Sequence, residues 1–382
     1  MNKVYVSGIG QVPIRENWER SLKELAGDAA LLAIEDAGLG YPQGLFVGNM
    51  MSPTANKQMH LGALLADWLG FHHKSAVTIE SACGSASAAF RMGVMAIASG
   101  EMDSVLVIGA EKMTDSPSPE ITSALATAAD AELELDFGVS FVALNALIMR
   151  RYMHEHGWEK KDFAPFSINA HANGAHNPNA RFQQAITEQT FMNAGMVCDP
   201  INLMDASPIG DGSAALFLSS KPVSNGHPTI EVVASASATD TISIQNRKDP
   251  TWLTAAEQGA KQCYAQAGIK PGDISVFEYH DAFTIMAALS LEAAGFCERG
   301  QGPRLAAEGK IAFDSEIPVA TLGGLKARGH PVGATGAYQL VEVVQQLRGE
   351  AGFTQVWDPR YGMAQNIGGS GSNITTHILK RV

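Results

Sequence analysis

The sequence predicts an α/β fold built from two related halves, and three observations carry that expectation. Short β-rich runs alternate with longer helical patterns over the first hundred or so residues, and the alternation restarts near Thr229. Alternation of this kind builds a largely parallel sheet with helices on its faces. LKELAGDAALLAIEDAGL near the start is echoed by WLTAAEQGAKQCYAQAGI later, each a helical pattern closing on Ala-Gly with a strand soon after, which reads as duplication. Small residues dominate, with 38 glycines and long alanine-rich stretches, and these suit close helix–sheet packing. At 382 residues the chain also exceeds the size at which one core stops growing.

Taken in order, residues 4–9 read as a strand and 21–37 as an amphipathic helix closed by Gly38. A short strand over 45–47, a helix over 58–69 and a strand over 75–80 follow. Next come an Ala/Gly/Ser-rich helix over 85–99 and a continuous apolar strand over 104–109. From Met113 to Ala206 the chain turns richer in Asn, His, Pro and acidic residues with few β-rich runs, and reads as an inserted loop or lid domain. Residues 214–218 then look like a strand returning to the first sheet. The second half offers a strand over 230–234, a helix over 252–267, a strand over 276–279 and a helix over 283–294. A helix over 337–348 and strands near 361–365 and 375–379 complete it. The expected organisation is an N-terminal half (1–112 and 207–224), an insert (113–206) and a C-terminal half (225–382).

Composition removes several classes of function. A net charge of −12 with no run of Lys or Arg argues against a nucleic-acid partner, although a local patch could still take an anionic ligand. Cys83, Cys198, Cys263 and Cys297 lie far apart without a C-x-x-C pair, so reduced thiols are expected, with neither a disulfide framework nor a metal site. The chain opens into a strand-like KVYVSGIG without a basic, apolar leader, and its apolar stretches are broken before membrane-spanning length. LKRV is not a peroxisomal address, so a cytoplasmic protein with no membrane partner is expected.

Four motifs carry chemistry. In Ile79-Glu80-Ser81-Ala82-Cys83-Gly84-Ser85 a β run ends, Cys83 sits in the turn, and a helix of small residues begins. Free N–H groups and the positive end of the helix dipole would favour the thiolate there. A lone cysteine also serves as a small buried hydrophobe. Tyr279-His280-Asp281-Ala282-Phe283 marks a strand-to-helix junction, where a structural histidine is at least as natural as a functional one. Gly329-His330-Pro331-Val332-Gly333-Ala334-Thr335-Gly336 is sharper. Glycines permit close backbone approach, proline fixes the geometry, and a neutral imidazole so held suits a general base for a thiol. Asn366-Ile367-Gly368-Gly369-Ser370-Gly371 follows a strand and could present N–H groups to an oxyanion, or be a simple turn.

In this order the motifs resemble the thiolase superfamily over nearly the whole chain, with support from GAEKMT after the fourth strand, MDASPIGDGSAA before Leu216, and NPNARFQ at 177–183. The His-Asp-Ala-Phe form of the second motif is similar to archaeal and sterol-carrier-protein-type thiolases, the acetyl-CoA acetyltransferase-like branch. The resemblance implies an α/β/α/β/α layered fold and coenzyme A thioesters as substrates, with no separate cofactor. It implies Cys83 as acyl acceptor, His330 as its base, and His280 with His330 holding the thioester oxygen of a second substrate. The N–H groups of Cys83 and Gly368 would hold the acyl-enzyme oxygen. The second cysteine that many thiolases use as acid/base is absent: Asn366 stands at its position in the last Gly-rich motif and Ala282 at its position in the His-Asp motif.

The function expected is reversible Claisen condensation of acetyl-CoA to acetoacetyl-CoA, or thiolysis of a short 3-oxoacyl-CoA. Two other readings stand beside it. One is a subunit of a complex performing decarboxylating condensation or retro-aldol cleavage, with a small zinc-ribbon and oligonucleotide-binding-fold partner. The other is a non-catalytic lipid carrier. By resemblance the chain would form a homodimer or tetramer.

Overall fold

The structure is a computed structural model, and it describes residues 2–382. The strands are β1 (Tyr5–Gln11), β2 (Gly44–Gly48), β3 (Ser75–Ile79), β4 (Ser104–Glu111), β5 (Met196–Cys198), β6 (Ile201–Asn202), β7 (Gly212–Ser219), β8 (Ile230–Thr239), β9 (Val276–Glu278), β10 (Tyr361–Gly368) and β11 (Asn373–Arg381). The first four helices are α1 (Leu22–Ala37), α2 (Ser52–Ala55), α3 (Leu61–Trp68) and α4 (Ser85–Ala98). Between β4 and β7 lie α5 (Ser118–Ala126), α6 (Phe141–His156), α7 (Ala164–Gly174) and α8 (Glu188–Met192). The last four are α9 (Thr254–Ala267), α10 (Thr284–Ala293), α11 (Gly302–Ala307) and α12 (Thr335–Arg348).

Local chemistry accounts for the boundaries. Ser21 caps α1 in a capping box with Glu24, and Gly38 closes it in the left-handed conformation. The helix expected from residue 58 starts only at Leu61, because Lys57 and His60 adopt positive φ, which a helix cannot contain. β9 stops at Glu278, one residue before the expected end, and so frees Tyr279–Asp281 for the loop that follows.

Nine strands form one sheet in the order β3-β2-β4-β7-β1-β8-β11-β10-β9. In the N-terminal half β3, β2 and β4 are mutually parallel, and β7 runs antiparallel to both β4 and β1. Four strands therefore share one direction and β7 opposes them. The C-terminal half repeats the plan. β9 and β10 are parallel, β11 runs antiparallel to β10 and β8, and Val319 adds a parallel bridge beside Phe277. The Val319 segment, β9, β10, β11 and β8 thus correspond to β3, β2, β4, β7 and β1. The duplicated α/β plan expected from the sequence is what the chain builds, and the halves join through a short antiparallel seam, Tyr5↔Glu231 and Val6↔Ile230.

Helices α4 and α12 form the middle layer. They pack on each other and on strands of both halves, sharing one core with Val105, Val107, Leu216, Ala364 and Leu379. α1 and α3 cover the outer face of the first half, and α9 and α10 that of the second. The layers are therefore α/β/α/β/α. α12 is buried almost all round, and the Gln339 Nε2 on it donates to the carbonyls of Glu278, Tyr279 and Gln365. The insert, with α5–α8 and the β5–β6 hairpin, shares a core with the C-terminal half through Tyr152, Phe163, Phe166 and Phe191.

Glycine is required where the middle layer meets the strands. A Cβ on Gly109 would lie 2.7 Å from Ala86 Cβ and 2.9 Å from Ala334 Cα. Gly109→Ala should cost about 1–3 kcal/mol through overpacking, read as a lower denaturant midpoint with an unchanged slope. A wild-type midpoint would show that the layer has room to give.

Candidate active site

The duplicated plan sends equivalent strand ends to one place. Cys83 follows β3 and lies just before α4, while His330 follows the Val319 segment and lies in the turn five residues before α12. His280 follows β9, and Asn366–Gly369 closes β10. The Cys83 turn is tightly fixed. Ala82 sits at φ +49°, Gly84 N–H donates to Ser81 O at 2.9 Å, and Ser85 Oγ donates to Ala82 O at 2.6 Å. A non-glycine residue in the left-handed region is strained and persists where its surroundings determine it.

Cys83, His280 and His330, which the sequence placed in three separate motifs, meet here. One ligand-type atom from each lies within 4.8 Å of the others, and they are 3%, 2% and 7% exposed. The imidazole centroids are 5.1 Å apart with planes at 84°. This is the cluster of three potential metal ligands found among the described residues, and a soft divalent cation would suit its sulfur and two nitrogens.

Each imidazole is held by a side chain at Nδ1. His330 Nδ1 lies 2.7 Å from Thr335 Oγ1, whose own proton points to Pro331 O at 3.4 Å. Thr335 therefore accepts the Nδ1–H, and His330 Nε2 keeps a free lone pair. His280 Nδ1 lies 2.9 Å from Asn366 Nδ2. An amide nitrogen only donates, so the His280 proton sits on Nε2. One ring thus offers a base and the other a donor. Asn366, at the position of the missing second cysteine, carries no acid or base of its own and sets the tautomer of His280.

Electrostatics keep all three groups neutral. Burial, then the nearby Glu111 charge, pushes the Cys83 thiol up to about 12, against the N–H groups of Cys83 and Gly369. The helix dipole was expected to favour the thiolate, and the dry surroundings outweigh it. The residue whose N–H helps to stabilise the sulfur is Gly369, one place after Gly368. Burial, then the Arg328 guanidinium, holds His330 at about 3; burial, then His330 and Arg328, holds His280 well below its usual value. Arg328 is itself fully buried and paired with Glu342 at 2.5 Å. Asp281 is a framework group: Oδ1 accepts the Leu325 N–H at 2.7 Å. Ala282, at the other position where a second thiol would stand, is buried beside Phe283 in the core shared with the insert.

The other thiols are elsewhere. Cys263 donates to Thr376 O at 3.2 Å, Cys198 lies on β5, and Cys297 follows α10. Sequence reasoning did not assign roles to Thr335, Glu111 or Arg328. Thr335 lies inside the His330 motif, where its spacing from His330 was the available signal. Glu111 lies in the GAEKMT motif, which marked the segment but not a role for it, and Arg328 carries no signal, because an isolated charge gives no hint that it will be buried.

Residues 10–222 match the family described as Thiolase, N-terminal domain, and residues 236–381 that described as Thiolase C-terminal domain-like. The chain is 42% identical over 385 residues to the acetyl-CoA acetyltransferase of Methanothermobacter thermautotrophicus, covering 100% of both. It is 36% identical over 393 residues to that of Methanocaldococcus jannaschii, covering 99% of both. Among solved structures it is similar to the Ltp2-ChsH2(DUF35) aldolase, with a TM-score of 0.87 and 24% identity over 99% of this chain and 98% of that one.

If Thr335 sets the proton on His330, Thr335→Val should lower kcat about 10–100-fold with little change in KM, and Thr335→Ser should restore most of it. Equal activity of Thr335→Val and wild type in steady-state kinetics would contradict this role.

Proposed function

We propose that this chain, which belongs to the thiolase family, condenses two molecules of acetyl-CoA to acetoacetyl-CoA, or runs the reverse thiolysis, through an acyl group carried on Cys83. The observation that carries the reading is the meeting of Cys83 with one imidazole offering a lone pair and another offering N–H.

Cys83 Sγ attacks the thioester carbonyl as His330 Nε2 takes the thiol proton. The N–H groups of Cys83 and Gly368 are the donors we assign to the oxygen of the tetrahedral intermediate, with the Gly369 N–H serving the sulfur. The bond from carbon to the coenzyme A sulfur breaks, and His330 returns the proton to that sulfur. A second acetyl-CoA then places its thioester oxygen on His280 Nε2–H. His330, neutral again, takes the α-proton, and the two imidazoles share the enolate charge. The carbanion attacks the acyl carbon, the Cys83 sulfur leaves, and His330 reprotonates it. One acetoacetyl-CoA and one free coenzyme A result, with no step through a second thiol or a separate cofactor.

A short acyl group is favoured because Cys83 packs in one apolar cluster with Met51, Met113, Ile121, Ala124 and Val332. A homodimer is favoured by β3, an edge strand with much of its surface exposed, which carries exposed Val77 and lies beside α4 with exposed Met92 and Met95. A small partner subunit is a second reading, motivated by the acidic charge of −12 and by the similarity to an aldolase that is named as a pairing of Ltp2 with ChsH2(DUF35). No helix among the described residues is long and apolar enough to cross a membrane, and a cytoplasmic setting accords with the four free thiols.

Incubation with acetyl-CoA should add the mass of one acetyl group to the peptide containing Cys83, and Cys83→Ala should lose both the adduct and turnover. Full activity in Cys83→Ala would sink the mechanism.

A further inference from the structure

Glu111 takes no part in the steps above, yet it is fully buried at the end of β4 beside the nucleophile. Its carboxylate accepts four N–H groups. Asn49 Nδ2 and the Met51 N–H donate to Oε1 at 2.9 and 3.1 Å, and the Met50 and Gly333 N–H groups donate to Oε2 at 2.9 and 3.0 Å. Three of these donors lie in the loop after β2. The fourth lies three residues beyond His330, in the other half of the molecule. Gly333 is shaped to this contact, since a Cβ there would stand 2.5 Å from Oε2 and 2.5 Å from Met50 N. Met51 and Val332, on either side of the carboxylate, both pack in the cluster that holds Cys83.

We propose that Glu111 is a positioning residue that clamps the turn carrying His330 in the C-terminal half onto the half that carries Cys83, and so fixes the separation of base and nucleophile. It touches neither substrate nor reacting atoms and acts through the Gly333 N–H and Met51. Four donors require a carboxylate without a proton, because a carboxylic acid would turn its own O–H against one of them. Burial raises Glu111, and the Met50, Met51, Gly333 and Asn49 donors limit the rise to about 7. In its charged form Glu111 ranks second, after burial, among the causes that raise the Cys83 thiol. The clamp therefore has an electrostatic signature that a purely structural side chain lacks.

Two variants separate position from charge. Glu111→Gln keeps the shape but sets an amide N–H₂ against two N–H donors and removes the charge. Glu111→Asp keeps the charge but is one methylene too short to hold Gly333. Both should lower kcat about 10–100-fold with KM within about threefold of wild type, as expected when a base is displaced by an ångström or so. Without acyl-CoA, iodoacetamide should alkylate Cys83 several-fold faster in Glu111→Gln and at the wild-type rate in Glu111→Asp. Wild-type kcat in Glu111→Gln, loss of activity through KM alone, or no change in its alkylation would overturn the proposal. Should neither variant fold, Asn49→Ala removes one donor and should lower kcat in the same sense, and an unchanged kcat there would overturn it as well. The kinetic arm rests on the acyl-transfer reading. The alkylation arm does not, so failure of wild type to accept an acetyl group would sink that reading and leave the clamp to be judged by alkylation.

Discussion

The close packing of α4 against α12, with small residues on both sides, is the constraint on which the site depends. Each helix is entered through the turn that carries a functional residue, Cys83 just before α4 and His330 five residues before α12. The packing of the two helices therefore constrains the distance between Cys83 and His330. Gly336 illustrates how little slack there is: a Cβ would stand 2.6 Å from Ser87 Cβ and 2.7 Å from Asn366 Oδ1. Packing as dense as this leaves few alternative arrangements, and the resulting geometry is held before substrate arrives. The glycine and alanine content of the chain, which first suggested layered packing, is therefore also what brings two catalytic groups from different halves together.

The same burial sets the chemistry. Removing Cys83, His280 and His330 from water makes each of them neutral, so the thiol is activated by transfer to a neighbouring imidazole and not by prior ionisation. Beneath the imidazoles lies a set of buried charges that includes Arg328, Glu342, Lys326, Asp281 and Glu278. The Arg328–Glu342 pair is fully desolvated, a costly arrangement in isolation. Its position explains its presence, because the guanidinium adds to burial in keeping both imidazoles unprotonated, and a cation nearby also favours the enolate that forms there.

Much of the fold was legible in the sequence. The alternation of runs, the echo between α1 and α9 and the glycine-rich composition together anticipated a duplicated α/β plan. The single opposed strand in each half was not legible, because β7 and β11 read as apolar runs whatever their direction. The insert stood out in composition as a different kind of segment, but its attachment to the C-terminal core through Tyr152 and Phe166 depends on contacts over a hundred residues apart. Within the site, Cys83, His280 and His330 stood out by their flanking glycine, proline and strand ends. Asn366 stood out only as the residue in place of a second thiol, and Thr335 not at all: both act by facing one nitrogen of a ring, and only the fold decides which nitrogen that is.

The central claim is a division of labour between the imidazoles, with His330 serving the thiol and His280 serving only the second substrate. The most direct measurement is single-turnover acetylation of Cys83 by acetyl-CoA, followed by intact mass, in His280→Ala and His330→Ala. The account predicts that His280→Ala still acquires one acetyl group yet makes no acetoacetyl-CoA, while His330→Ala acquires it at least about a hundredfold more slowly than wild type. Rapid acetylation in His330→Ala, or its loss in a folded His280→Ala, would contradict it.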